Sequence, residues 1–217
     1  YMTHQWVDLG TGTASGYNLV NPTTQVVTVD ATGVSNANAG TVNLEYTVTD
    51  ANGCIDSGTT TVTIYPLPIP NPQPAMVCVG DAVTIDGAPT QGTTPYTTHQ
   101  WTDLGTGTAS NYMLLGANMQ VLTVDASSTM DSEAGTVNLE YTVSDVNGCT
   151  QSATITVTIN PLPEITPMGG NITCTPPQEV QISASTNAAS PMYTWEGPGI
   201  IAGMTTASPT VNLPGVY

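Results

Sequence analysis

The chain has 217 residues, with 16 Asp and Glu, no Lys or Arg, and a formal charge of −16. With no cation to meet phosphates, nucleic acid is nearly excluded as a partner and anionic membrane surfaces are disfavoured. No apolar run approaches the ~18 residues of a membrane-spanning helix, so no membrane insertion is expected. β-branched runs broken by Gly, Pro, Asn and Asp predict an all-β protein, and the like charge predicts a soluble surface that trypsin-like enzymes cannot cut.

In chain order, Tyr1-Met2-Thr3-His4-Gln5-Trp6 reads as the middle of a strand, and no signal peptide is visible. Residues 39–65 alternate Val42, Leu44, Tyr46 and Val48, turn at Asn52-Gly53, and return through Val62 and Ile64. Strict period two predicts half-buried strands, and Asn-Gly takes positive φ cheaply, so this stretch should be a hairpin. Pro at 66, 68, 70, 72 and 74 predicts an extended, stiff connection. A short strand at 76–79 and a turn at Gly80-Asp81 follow, then a strand at 82–86 with Val83 and Ile85 inward. Further strands are expected at 96–103, holding Trp101, and at 119–125, with Leu122 and Val124 inward. A Trp on an early central strand is the usual plug of a sandwich of this kind. Residues 134–160 form a second hairpin: Val137, Leu139, Tyr141 and Val143, a turn at Asn147-Gly148, then Ala153, Ile155, Val157 and Ile159 alternating with Thr. Its apolar face needs a second sheet, because a lone hairpin is marginal in water.

The two hairpins belong to a repeat. Thr3-His4-Gln5-Trp6 returns as Thr98-His99-Gln100-Trp101, a shift of 99 − 4 = 95 residues, which also relates Cys54 to Cys149 and Pro66-Leu67-Pro68 to Pro161-Leu162-Pro163. The run 8–15 recurs in the same way at 103–110. Such a period suits one whole sandwich rather than a solenoid turn. The expected domains are 1–67, a partial sandwich lacking its N-terminal strands; 68–162, complete; and 163–217, partial and divergent, lacking its C-terminal strands. The chain therefore reads as a window of a longer polypeptide. In the third segment Thr194-Trp195-Glu196-Gly197-Pro198-Gly199 replaces the Trp101 stretch, and Ile172-Thr173-Cys174 replaces Val77-Cys78-Val79.

These residues carry a resemblance. Tyr-Thr-Val-Ser-Asp-Val-Asn-Gly at 141–148 resembles the penultimate strand and turn of PKD domains. Trp101-Thr102-Asp103-Leu104-Gly105-Thr106-Gly107 resembles their Trp-Asp-Phe-Gly-Asp-Gly signature, with one extra residue and Thr in place of the second Asp. Val77-Cys78-Val79-Gly80-Asp81 followed by Asn147-Gly148-Cys149 is similar to the PKD/Ig-like repeats of giant surface adhesins of gliding bacteria. The resemblance implies tandem Ig/PKD-like antiparallel β-sandwiches, type IX secretion, and an extracellular, cell-surface adhesin or filament in gliding motility or attachment. The modules' partners would then be neighbouring repeats of the same chain and an unspecified surface or polysaccharide. PKD modules also decorate secreted hydrolases, so the alternative is an accessory spacer or carbohydrate-binding module.

Cys78 and Cys149 are the only cysteines inside the complete segment, and a disulfide between them is expected; the alternative is four buried free thiols. His4 and His99 lie two residues before a Trp, where the third segment has Tyr193, which marks a packing position rather than a metal or catalytic one. Asp81, Asp103, Asp145 and Asn147 are candidate calcium ligands at turns, although Asp and Asn are ordinary turn formers and no EF-hand-like loop is present. No other cofactor is implied. No nucleophile elbow, zinc-protease helix or phosphate loop occurs, and acids such as Glu45/Glu140 and Asp50/Asp145 recur with the repeat, so no catalytic residues are expected.

Overall fold

The computed structural model describes residues 3–217. Alternation decides the longest strands. The first repeat contains β1 (Thr3–Asp8), β2 (Asn18–Val20), β3 (Thr28–Asp30), β4 (Gly40–Thr49) and β5 (Ile55–Ile64). The second contains β6 (Pro68–Ile69), β7 (Ala75–Cys78), β8 (Ala82–Asp86), β9 (Thr90–Gln91), β10 (Tyr96–Asp103), β11 (Met113–Leu115), β12 (Val121–Asp125), β13 (Gly135–Asp145) and β14 (Thr150–Asn160). The remainder holds β15 (Ile165–Met168), β16 (Val180–Gln181), β17 (Ser183–Thr186), β18 (Ile200–Ala202) and β19 (Thr210–Val211). The only helical turns among the described residues are short 3-10 segments, Asn36–Asn38 and Asp131–Glu133, so no helix there is long and apolar enough to cross a membrane.

The second repeat is an Ig-like β-sandwich. One sheet has the order β10-β13-β14-β7 and the other β11-β12-β8. Neighbours within each sheet pair antiparallel, except that β7 pairs parallel with β14, Ala75 opposite Val157 through Cys78 opposite Asn160. In β13 and β14 the predicted inward sets meet across the ladder, Val137 with Val157, Leu139 with Ile155 and Tyr141 with Ala153. Val137, Leu139, Tyr141, Val143 and Val157 are fully buried, together with Leu122 and Val124 of the facing sheet and Trp101. Each such side chain stabilises the fold by about 1.5–3 kcal/mol relative to exposure. Every residue of this core lies between Val77 and Ile159.

The predicted plug is in place, but not on a central strand: Trp101 stands on β10, which ends its sheet. It is 2% exposed because it reaches across to the second sheet. Its indole donates to the Met119 carbonyl at 3.0 Å, and its backbone N–H donates to the Ala117 carbonyl at 2.7 Å. Trp6 does the same with Thr24 and Pro22, and Trp195 with Thr206 and Met204. The third segment also repeats one sheet order, β16-β19-β18 for β8-β12-β11. Trp6 and Trp195 are half-buried, short of the full burial of Trp101.

The proline run is not a free connection. Pro68, Pro70 and Pro72 are buried, β6 pairs antiparallel with β9, and the Asn71 N–H donates to the Gly87 carbonyl at 3.0 Å. Proline at alternate positions of an edge strand gives up only donors that the sheet does not need. The sandwich therefore begins inside the run.

The chain divides into two compact units, Tyr1–Asn160 and Pro161–Tyr217. Within the first unit, Asn36 joins the two repeats. Its amide donates to the Leu67 carbonyl and to the Gln91 side chain, both at 2.7 Å, and its oxygen accepts the Leu67 N–H at 2.7 Å.

Candidate functional site

The hairpin turn after β13 is built on Asp145, which is 1% exposed. Oδ1 accepts the N–H groups of Asn147 at 2.9 Å and Cys149 at 3.0 Å, and Oδ2 accepts that of Thr93 at 2.9 Å. Burial opposes the charge, yet the Thr93, Cys149 and Asn147 donors outweigh it and hold the carboxyl below its ordinary pKa. Asp50 closes the first hairpin in the same way, with Asn52 and Cys54 donating at 2.8 Å. The repeated Asp-x-Asn-Gly-Cys text is thus a carboxylate-capped turn, with positive φ at Gly53 and Gly148.

The calcium candidates do not converge. Asp145 and Asn147 lie at one end of the sandwich, and Asp81 sits in the β7–β8 turn at the other, its N–H donating to the Cys78 carbonyl at 3.1 Å. Asp103 ends β10, accepting the Gly105 N–H at 2.9 Å and the Tyr112 hydroxyl. The carboxylate oxygens of Asp103 and Asp145 are thereby taken up by donors of the chain itself. No cluster of three or more His, Cys, Asp or Glu able to hold a metal occurs among the described residues.

That Asp103 turn is where the Trp101–Gly107 run folds back. Gly107 passes so close to the neighbouring strand that a Cβ there would lie 2.1 Å from the Thr136 carbonyl oxygen. The Tyr112 hydroxyl bonded to Asp103 loses its proton less readily, and burial with that bond pushes its pKa up to about 12. Tyr17 and Asp8 form the same pair in the first repeat, where the bond raises Tyr17 to about 12 and lowers Asp8.

His99 Nδ1 lies 2.6 Å from the Tyr141 hydroxyl with the rings stacked, and His4 and Tyr46 repeat the arrangement. Both histidines pack on their partners' rings.

The expected Cys78–Cys149 disulfide is overturned. All four cysteines are free. Cys78 pairs in register with Asn160, the last residue of β14, while Cys149 immediately precedes that 11-residue strand. At ~3.3 Å per residue the two cysteines stand roughly 35 Å apart, against the ~7 Å that bridged Cα atoms tolerate.

The outer face of the β13–β14 ladder presents hydroxyl, amide and carboxylate groups linked to one another: Thr156 donates to Asn138 at 2.8 Å, Asn138 donates to Thr106 at 3.0 Å, and Ser152 donates to Glu140 at 3.0 Å. The first repeat carries the same net on Thr61, Asn43, Thr11, Ser57 and Glu45. In the third segment an open cleft of about 470 Å³ is lined by Tyr193, Trp195, Met192 and Tyr217. Period-two patterning foretold the first surface; the second forms where the loop at 191–196 meets Ile165 and Pro167 of β15 and Ala184 and Thr186 of β17, a meeting that carries no such signal.

No family model matches the chain, and no curated protein matches it. Among solved structures it is similar to the N-terminal eight Ig domains of the Down Syndrome Cell Adhesion Molecule (14% identity, 96% of this chain and 33% of that one, TM-score 0.46). It is also similar to the human desmocollin-1 ectodomain (11% identity, 98% and 47%, TM-score 0.41) and to a three-Ig fragment of titin (13% identity, 98% and 78%, TM-score 0.38). The chain spans about a third of the first of these proteins and about half of the second. All three TM-scores fall below 0.5, and the Ig-like assignment rests on strand order and register.

Proposed function

We propose that this chain is a segment of a long, secreted cell-surface adhesin or filament, with a structural and adhesive rather than catalytic role in gliding motility or surface attachment. The observation that carries this reading is the repetition in series. Two consecutive repeats share register, Trp clamp, Asp-capped turn and polar outer face, and Asn36 locks one to the next. An active site seldom needs adjacent copies, whereas a tether does. The resemblance to PKD/Ig-like adhesin repeats adds the gliding and type IX export components. The absence of Lys and Arg from the sequence suits a surface exposed to proteases and kept soluble by like charge.

The test is antibody against residues 68–162 applied to intact cells that produce the protein. Labelling without lysis, and loss of attachment or gliding on antibody treatment, are the expected results. Labelling only after lysis overturns the reading. Binding of the purified chain to a polysaccharide array, with motility and attachment unaffected, would instead favour an accessory module of a secreted hydrolase.

A further inference from the structure

Cysteines stand at both ends of the second repeat. Cys78 closes β7 opposite Asn160, at the end from which the chain leaves. Cys149 immediately precedes β14 at the other end, in the turn whose Asp145 accepts the Thr93 N–H and whose Val146 N–H reaches the Thr93 carbonyl. This is the entry end: Gln91, two residues before Thr93, receives the Asn36 amide of the preceding repeat at 2.7 Å. Cys149 therefore lies at the end of the repeat where the preceding one joins.

The copy shows what the other side of that junction carries. Residue 160 maps onto 160 − 95 = 65, so Tyr65, just past the end of β5, occupies the place of Asn160. In the second repeat the residue beside that place, one strand over, is Cys78. A complete preceding repeat would thus bring its own Cys78-position thiol to the end that Asn36 joins to the next repeat. Each junction between complete repeats then receives one thiol from each side, while the two thiols of any single repeat stay far apart.

We propose that the cysteines pair between repeats: the Cys78-position thiol of one repeat forms a disulfide with the Cys149-position thiol of the next. In the reaction the two protein thiols give up two protons and two electrons to a small-molecule disulfide such as glutathione disulfide, which leaves as two thiols. The pair would pin each such junction covalently and limit bending. The proposal rests on the tandem-repeat reading, whose own test reads cell labelling rather than thiols.

The second repeat encloses its own core, from Val77 to Ile159, and carries Asp131 at the place of Asn36 (131 − 95 = 36), so a chain of three head-to-tail copies of residues 68–162 bearing Asp131→Asn, which restores the amide at each junction, is a fair test object. It is refolded in a glutathione redox buffer, denatured without reductant and alkylated. Of its six cysteines, two should react: the Cys149 position of the first copy and the Cys78 position of the last. Pairing within repeats leaves none, and absence of pairing leaves six; either overturns the proposal. With Cys78→Ser in the first copy alone, three of the remaining five should react, against one for pairing within repeats. In the 217-residue chain as it stands, all four thiols should titrate, and two would overturn the proposal.

Discussion

Gly87 lies against the phenol ring of Tyr141, and a Cβ built on it would stand 2.2 Å from the ring carbon that bears the hydroxyl. Tyr141 is fully buried between Trp101, with ring centroids 4.5 Å apart, and His99, so the ring has nowhere to retreat. Gly87→Ala should cost about 1–3 kcal/mol by overpacking. Gly58 in β5 meets nothing within 4 Å, and Gly58→Ala should be neutral or slightly stabilising. Thermal melts of the two variants check the contrast, and equal melting temperatures would show that the ring yields.

Acid should reach the fold through Asp145. Its native pKa is depressed, so its stabilisation is complete above the unfolded value of about 3.9 and is lost as pH falls through the native value. Melting temperature should therefore fall below about pH 4. Asp145→Asn should cost about 3 kcal/mol at neutral pH, because its amide cannot accept all three N–H groups. It should also flatten the acid limb. A variant with an unchanged pH profile would remove Asp145 as the cause.

Alkali should act with the opposite sign. Tyr112 is raised to about 12 in the folded chain, so its contribution is complete below the unfolded value of about 10 and disappears as pH rises through the native one. Denaturant titrations of the parent and of Tyr112→Phe between pH 9 and about 12 should converge as pH rises.

Asn36→Asp replaces an amide donor with an acceptor facing the Leu67 carbonyl and the Gln91 side chain. The two repeats should lose their fixed angle while each keeps its own core. Small-angle scattering should show a broader distance distribution, with the melting of the second repeat unmoved. An unchanged distribution would mean that the angle is held elsewhere.

Much of the fold was legible because strand faces write themselves into a sequence with period two. Val137, Leu139, Tyr141 and Val143 announced the core side of β13, and Asn147-Gly148 announced its turn. Pairs joined through space left weaker traces. Asp145 read equally well as a cation ligand or as a turn cap, and only the Thr93, Asn147 and Cys149 donors decide for the cap. The buried face of Pro68, Pro70 and Pro72 was hidden because proline spacing signals extension but not what the extension packs on. Cys78 and Cys149 looked like partners because they share a repeat; the parallel β7–β14 register, which sends them to opposite ends, has no signature in spacing.

That parallel register governs how a repeat would respond if its two ends were pulled. β7 lies near the start of the repeat and β14 finishes it, and they run side by side in the same direction. Tension applied through the termini drags the two strands past each other, so the ladder from Ala75–Val157 to Cys78–Asn160 must shear as a whole instead of unzipping one bond at a time. The weakest-looking edge of the sandwich is therefore loaded in its most resistant direction.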